Sequence, residues 1–333
     1  LDLSAKWTPS LATLASSTLA LNGGETRLKV NGEVEGLDSS APSVNARLQW
    51  EGVRYPLQGE SVALRSPQGE LLLSGPFDNL NTRINTELQS VEIGEVSLKG
   101  QAQVSPSGAD KIGIEADLLG GRVLVDGKAG WADETSWQLK LEAQQVQPGL
   151  QWPDLDGELN SRLAVEGRLD PALYSRVHIQ SLGGQLKGQP LSGSGQVVVQ
   201  GAAIDVSDLQ LGWGEAQLAA AGRIDEQLDL SWSLDLPSLD SLLPQARGAL
   251  RAKGTLAGSR VLPRVDAQLS AQNLRVNQLR LNAAEGQVAF DASWKHDADI
   301  QLSARGLALP GQSIEQIDLS LKGPQQALVT LLS

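Results

Sequence analysis

The sequence predicts an all-β fold of antiparallel strands. Three observations lead there: apolar and polar residues alternate with a period of two along most of the chain, glycine and proline punctuate the alternation, and helical periodicity is scarce. Successive side chains of a strand point to opposite faces, so each alternating segment is apolar on one side and wet on the other.

From the N-terminal side, Leu48 and Trp50 follow Val44 and Ala46 and are interleaved with Asn45, Arg47 and Gln49. Leu71 and Leu73 stand between Gly69 and Gly75, and Val123 and Val125 between Gly121 and Gly127. Trp137, Leu139 and Leu141 alternate with Gln138, Lys140 and Glu142, and Val197 and Val199 extend the habit. Leu228, Leu230, Trp232, Leu234 and Leu236 alternate with Asp229, Ser231, Ser233 and Asp235. Val265 and Leu269, then Ile300 and Leu302, then Leu319 and Leu321, complete the series. These residues are the candidate lining of one apolar face. Pro237 to Leu243, with Ser238 as cap, reads as one short helical turn, and residues 9–21 stay undecided. Parallel pairing needs long crossovers, usually helical, that are not visible here, so the strands pair antiparallel.

With 333 residues the chain exceeds what one core usually supports, about 250–300 residues, which implies several domains or a quasi-linear array. Aromatic residues are only 4% and much of the 41% hydrophobic content is alanine, so core-forming material is spread thinly. A net charge of −12 with no basic cluster speaks against nucleic acid and against electrostatic adhesion to an anionic membrane. Absence of cysteine excludes disulfides and thiolate chemistry and leaves an oxidising compartment open. The sequence has no methionine and starts in mid-pattern at Leu1, so it reads as a piece of a longer protein. No signal peptide and no apolar run of about 20 residues is present, which puts any membrane anchor outside this segment.

Internal repetition is the most informative feature. A Gly-x-φ-x-φ-x-Gly pattern, φ being apolar, occupies Gly69 to Gly75 and Gly121 to Gly127, with a stretched form from Gly214 to Gly222. Trp137 and Trp232 each follow such a copy, then come Pro153 with Gly157 and Pro244 with Gly248, closed by Gly167 and Gly258. The repeat units fall at 1–115, 116–210 and 211–333 within one continuous segment.

One-sided strands must bury their apolar face on something. About 30 strands at a spacing of about 4.8 Å would make a sheet on the order of 140 Å long, and open sheets rarely exceed about 10 strands without curling or splitting. Barrels, sandwiches and a lengthwise trough all satisfy the pattern. Repetition without a linker and a light apolar face lean toward the trough, which leaves room for a guest. Acyl chains suit such a groove: each methylene in water costs about 0.8 kcal/mol, so a tail of about sixteen carbons costs on the order of 12 kcal/mol.

Nothing in the sequence points to an enzyme. His178 and His296 lack neighbouring ligands and read as surface residues. Ser192 and Ser194 read as a Gly-rich turn, and Gly193-Ser194-Gly195 lacks the rest of a phosphate loop. The pairs Asp133/Glu134, Asp154/Asp156 and Asp297/Asp299 read as solvated turn charges without further ligands. Trp131 reads as lying near a turn, Trp137 and Trp232 as packing with their leucine neighbours. No cofactor or metal is expected.

Leu118 to Gly127 followed by Trp137-Gln138-Leu139, the run Leu182 to Leu191 leading through Trp213-Gly214 to Trp232-Ser233-Leu234, and Gly254 to Gly258 with Pro263, resemble TamB-type proteins of the AsmA-like superfamily of Gram-negative envelope proteins. The resemblance covers most of the chain and is strongest from about 115 to 270. It implies a long curled antiparallel sheet, a β-taco with an apolar concave interior and little helix. It also implies a periplasmic location within a protein anchored in the inner membrane, phospholipid as cargo between the two membranes, and an outer-membrane barrel partner, TamA, engaged through a region outside this segment. Assembly of outer-membrane barrels or autotransporters together with TamA is the competing role. The family offers no catalytic residues to carry over.

Overall fold

A computed structural model describes residues 2–21, 26–56, 63–240, 245–291 and 297–324. Its described residues form 21 antiparallel strands of 6 to 14 residues. The chain divides into two compact units, the first comprising Leu1–Ser175 with Gln180–Gly188, the second Arg176–Ile179 with Gln189–Ser333.

The first unit contains β1 (Asp2–Trp7), β2 (Leu11–Leu21), β3 (Thr26–Glu35), β4 (Ser43–Tyr55), β5 (Leu64–Pro76) and β6 (Leu80–Ser90). It continues with β7 (Gly94–Ser105), β8 (Gly108–Leu118), β9 (Gly121–Gly130), β10 (Ser136–Val146), β11 (Gly157–Arg168) and the latter part of β12 (Tyr174–Leu186). From β1 to β11 each strand pairs antiparallel with the next. The second unit holds β13 (Gln189–Gln200), β14 (Ala203–Trp213), β15 (Ala216–Ile224), β16 (Gln227–Leu236), β17 (Ala246–Ser259), β18 (Pro263–Val276), β19 (Leu279–Asp291), β20 (Asp297–Leu309) and β21 (Gln312–Pro324). It too is a simple meander. Among the described residues no pairing joins β21 back to β13, so the unit is an open sheet and not a barrel.

Strands are fewer and longer than the sequence suggests, because glycine, expected to punctuate them, often sits inside them. Gly69 and Gly75 lie inside β5, Gly127 inside β9, Gly222 inside β15 and Gly254 inside β17. Several face a large side chain on the neighbouring strand: a methyl added at Gly69 would overlap the Trp50 ring, and one at Gly167 the Trp137 ring. A flat aromatic laid over a glycine in an adjacent strand covers backbone that would otherwise stand bare. Ser192 and Ser194 likewise lie within β13 rather than in a turn.

Residues 11–21 of the stretch that alternation leaves undecided are strand β2. Pro237 to Asp240 form a bend and turn in which the Ser238 hydroxyl donates to the Asp240 carboxylate, and residues 241–243 lie outside the described residues. Register shifts recur along the strands, for example between Gln101 and Gln103, Ala143 and Val146, and Val206 and Leu209. Such bulges bend a strand and increase its twist, which curls the sheet they belong to. One connection is elaborate: Gln147 to Asp156 carries two 3-10 turns, Pro148–Leu150 and Pro153–Leu155. Gln147 N donates to Leu119 O (2.8 Å), Gln151 Nε2 to Val91 O (2.9 Å), and Asp156 O accepts from Lys187 N (2.6 Å).

Among the described residues neither unit has a packed interior. The buried hydrophobic residues among those described are Val96, Ala109, Ala203, Leu236, Ala246, Ala267, Ala271 and Ala298, and the largest fully buried side chain is Thr26. Folded domains ordinarily cover the apolar face of a sheet with a second layer. Among the described residues neither a sandwich core nor a helix does so.

Candidate functional site

The apolar faces are the candidate site, and strand register assembles them. In the first unit Val30, Leu48, Leu71, Ile84, Gly100, Ile114, Val125, Leu141 and Leu163 stand directly opposite one another in turn, from β3 to β11. In the second unit the corresponding row is Gly193, Leu211, Leu218, Leu234, Ala252, Leu269, Gly286, Leu302 and Leu319, from β13 to β21. Each row crosses nine strands without one polar side chain. Directly opposed residues share a face, so a row is a transverse stripe of that face.

Every lining residue expected from the sequence falls on the apolar face of its own unit. Leu48, Leu71, Val125 and Leu141 lie in the first row, while Trp50, Leu73, Val123, Leu139 and Trp137 stand an even number of residues from a row member on their strands. In the second unit Leu234, Leu269, Leu302 and Leu319 lie in the row. Leu228, Leu230, Trp232, Leu236, Val265, Ile300 and Leu321 share that parity. Val197 and Val199 oppose Val206 and Ile204. Val30, Ile84, Ile114, Leu163 and Leu211 also stand in the rows and escape a reading of the sequence alone, since threonine, glycine or a bulge interrupts the alternation around them, while Leu218 belongs to the stretched repeat from Gly214 to Gly222.

Row members are mostly half-buried, and Leu218 and Leu319 are exposed at 37% and 36%. Among the described residues no second layer of the same unit covers them. An almost purely apolar depression of about 300 Å³ lies over β1 to β4, against Trp7, Leu14, Val30, Val34 and Val44.

Beside the first row sits a short polar chain. The Trp50 indole donates to Ser66 Oγ (2.6 Å), the Ser66 and Thr86 hydroxyls are 2.8 Å apart, and Thr86 Oγ1 donates to the Gln68 carbonyl (3.0 Å). Ser66 and Thr86 are buried, and each hydroxyl is satisfied, as buried polar groups must be.

The opposite faces carry cross-strand ion pairs. Arg47 meets Glu70 (3.2 Å), Arg122 meets Glu115 (3.1 Å) and Asp117 (3.0 Å), Arg223 meets Asp205 and Asp225 (both 2.9 Å), and Arg251 meets Asp235 (3.2 Å). All are at least partly open to solvent, which screens them and leaves each a weak contribution. The Gln227 backbone N–H, then the Arg223 guanidinium, hold the Asp225 carboxyl below its usual range. Gln301 and Lys322 do the same for Asp299. Asp299 lies within β20, paired to Lys322 at 3.3 Å, and not in the turn expected for it. Asp133 and Glu134 lie in a bend, Asp154 in a 3-10 turn and Asp156 just after it. His178 is exposed on β12, and His296 is outside the described residues. Among the described residues no three metal-binding side chains cluster.

The family described as TamB, N-terminal domain, matches residues 2–328. A protein of Haemophilus influenzae named translocation and assembly module subunit TamB is 22% identical over 304 residues, covering 90% of this chain and 23% of its own length. The chain therefore spans about a quarter of that relative. No solved structure matches the chain.

Proposed function

The chain belongs to the TamB family, and from that premise we propose that its apolar faces shield the acyl chains of phospholipid in transit between the inner and outer membranes. In this reading the segment stands in the periplasm, the parent protein is anchored in the inner membrane, and TamA is engaged by a region outside this chain. The segment has no catalytic role and needs no cofactor.

The single observation that carries the reading is the pair of nine-strand apolar rows left uncovered by any second layer among the described residues. A sheet face of this kind is unfavourable in water and becomes favourable when an apolar guest lies on it. An acyl chain on the stripe recovers about 0.8 kcal/mol per methylene removed from water. A stripe without fixed polar contacts leaves the guest free to move along it.

The test is lipid extraction and mass spectrometry on the purified chain, with Leu141→Asp and Leu234→Asp beside it. Co-purified phospholipid that falls several-fold in variants with unchanged circular dichroism supports the conduit. A properly folded chain that carries no lipid and takes up none from vesicles overturns it. The relative's name, translocation and assembly module subunit, favours a second reading, a scaffold for assembling outer-membrane barrel proteins. Binding of a barrel-strand peptide by the lipid-free chain is the outcome that selects it.

A further inference from the structure

We propose that the polar face of the second unit carries a binding trench for a neutral glycan strand. A depression of about 950 Å³ crosses that face from β14 to β20. Register explains its chemistry. Gln210 opposes Ala219, which opposes Ser233, and the line continues through Lys253, Gln268, Gln287 and Gln301. This transverse line contains no carboxylate. Six inter-strand steps make it about 29 Å long.

The rows on either side differ. Asp235 and Arg251 pair on one flank, and Arg264 with Asp266 (3.1 Å) and Asp299 with Lys322 (3.3 Å) pair on the other. Each of these pairs is mutually neutralised; Arg264, Asp266 and Asp299 line the depression, and Asp208 adds one further carboxylate to its β14 end. Within the trench, the side chains of Gln210, Lys253, Gln268 and Gln287 have no protein partner among the described residues. Ala219 and Ser233 keep the floor low enough for a ring to approach the sheet.

A carboxamide offers donors and an acceptor together. A file of carboxamides repeating at the strand spacing suits a ligand whose hydroxyl and amide groups also repeat and which carries no charge. An anionic polymer would need several cations where the central line has Lys253 alone. Leu209, Trp232 and Val288 contribute to the lining, but a lipid tail laid across it would cover the Gln210, Lys253, Gln268 and Gln287 side chains without offering them a hydrogen bond. A peptide adding as a strand needs a sheet edge, and this is a face. An extended glycan meets every requirement. The site lies on the face opposite the apolar row, so glycan binding and lipid loading stand or fall independently.

The experiment titrates the whole chain with N-acetylglucosamine hexamer and with cellohexaose, following glutamine side-chain NH2 resonances. Exposed hydrogen bonds alone predict weak binding, with Kd on the order of 1 mM. Gln268→Ala with Gln287→Ala is expected to weaken it at least ten-fold, while Gln101→Ala on the polar face of the first unit leaves it unchanged. Absence of saturable binding at millimolar hexasaccharide overturns the assignment. So does binding that the double substitution does not affect, or displacement by an extended peptide that binds the same glutamines more tightly.

Discussion

The two units build the same stripe from different residues, and the difference separates what holds a single-layer sheet together from what leaves it receptive. The first row mixes valine, isoleucine and leucine with one glycine, Gly100, and has the Trp50–Ser66–Thr86 chain beside it. The second is leucine with one alanine and two glycines, Gly193 and Gly286. Four of the five buried polar residues among those described, Ser17, Thr26, Ser66 and Thr86, belong to the first unit. That unit secures part of its apolar face with hydrogen bonds and an indole over Gly69, and straps one rim with the Gln147–Asp156 connection. In the second unit Arg260 ties hairpin turns through the Ala202 and Ile224 carbonyls, and backbones approach closely at Gly222 and Gly254.

Glycine substitution breaks this comparison with the largest expected effect. A methyl added at Gly254 would overlap the Asp266 carbonyl oxygen and lie 2.9 Å from the Ala267 Cα, both backbone atoms that cannot step aside. At Gly100 the nearest atom is the Ile84 Cγ2 at 2.9 Å and the next is at 3.6 Å, so a rotamer change relieves it. Gly254→Ala is expected to cost about 2–3 kcal/mol and Gly100→Ala less than about 1 kcal/mol. Urea unfolding with hydrogen exchange resolved by unit measures both. Equal costs would mean that the second sheet shifts as readily as a side chain does, and that close backbone approach does not hold it.

The same glycines mark where the sequence is legible and where it is not. Clean alternation at Trp137 to Leu141 and Leu228 to Leu236 gives strand, face and antiparallel class from local sequence alone. Whether a glycine ends a strand or sits inside it depends on the residue across the ladder. Gly69 is intelligible only once Trp50 lies opposite, and no local pattern supplies that register. The nine-residue stripes are hidden for the same reason, because they run perpendicular to the chain. Gln268 and Gln287, each an ordinary polar strand position, acquire meaning only when β18 and β19 align them. Conversely, thin aromatic content and abundant alanine agree with the small number of large side chains buried among the described residues.

Tryptophan substitution sharpens the contrast within the first unit. Trp50→Phe keeps a ring over Gly69 but removes the donor to Ser66, at an expected cost of about 1–2 kcal/mol. Trp137 covers Gly167 with no side-chain partner for its indole among the described residues, so Trp137→Phe is expected to cost less than about 1 kcal/mol. Thermal melts of the two variants side by side decide this. A smaller effect belongs to the second unit, where Arg260 Nη2 donates to the carbonyls of Ala202 (2.9 Å) and Ile224 (3.3 Å) and so ties three hairpin turns. Arg260→Ala is expected to cost about 0.5–1 kcal/mol, since these bonds are exposed. Faster amide exchange at those turns, with the strand centres unchanged, is the readout.

Acid is the gentlest probe, and it acts through carboxylates of the second unit. Asp225 is held below its ordinary value of 3.8 by the Gln227 N–H and then Arg223, Asp299 by Gln301 and then Lys322, and Asp318 by the Ser303 hydroxyl and then Gln316. A carboxyl whose folded value is depressed contributes stability that is fully present above the unfolded value, and loses it as pH falls through the folded one. Stability of the second unit is therefore expected to be flat from neutral pH to just above 3.8 and to decline below it. Asp225→Asn removes one contribution and shallows the decline without altering the neutral-pH fold, because the side-chain oxygen of the new amide can still accept from the Gln227 N–H. High salt weakens the Arg223 and Lys322 attractions and leaves the hydrogen bonds from Gln227 and Ser303, so the decline is expected to persist at about 1 M salt. A decline abolished by salt would transfer the effect to the ion pairs. The exposed cross-strand ladder would then do more to hold the second sheet than its hydrogen-bonded turns.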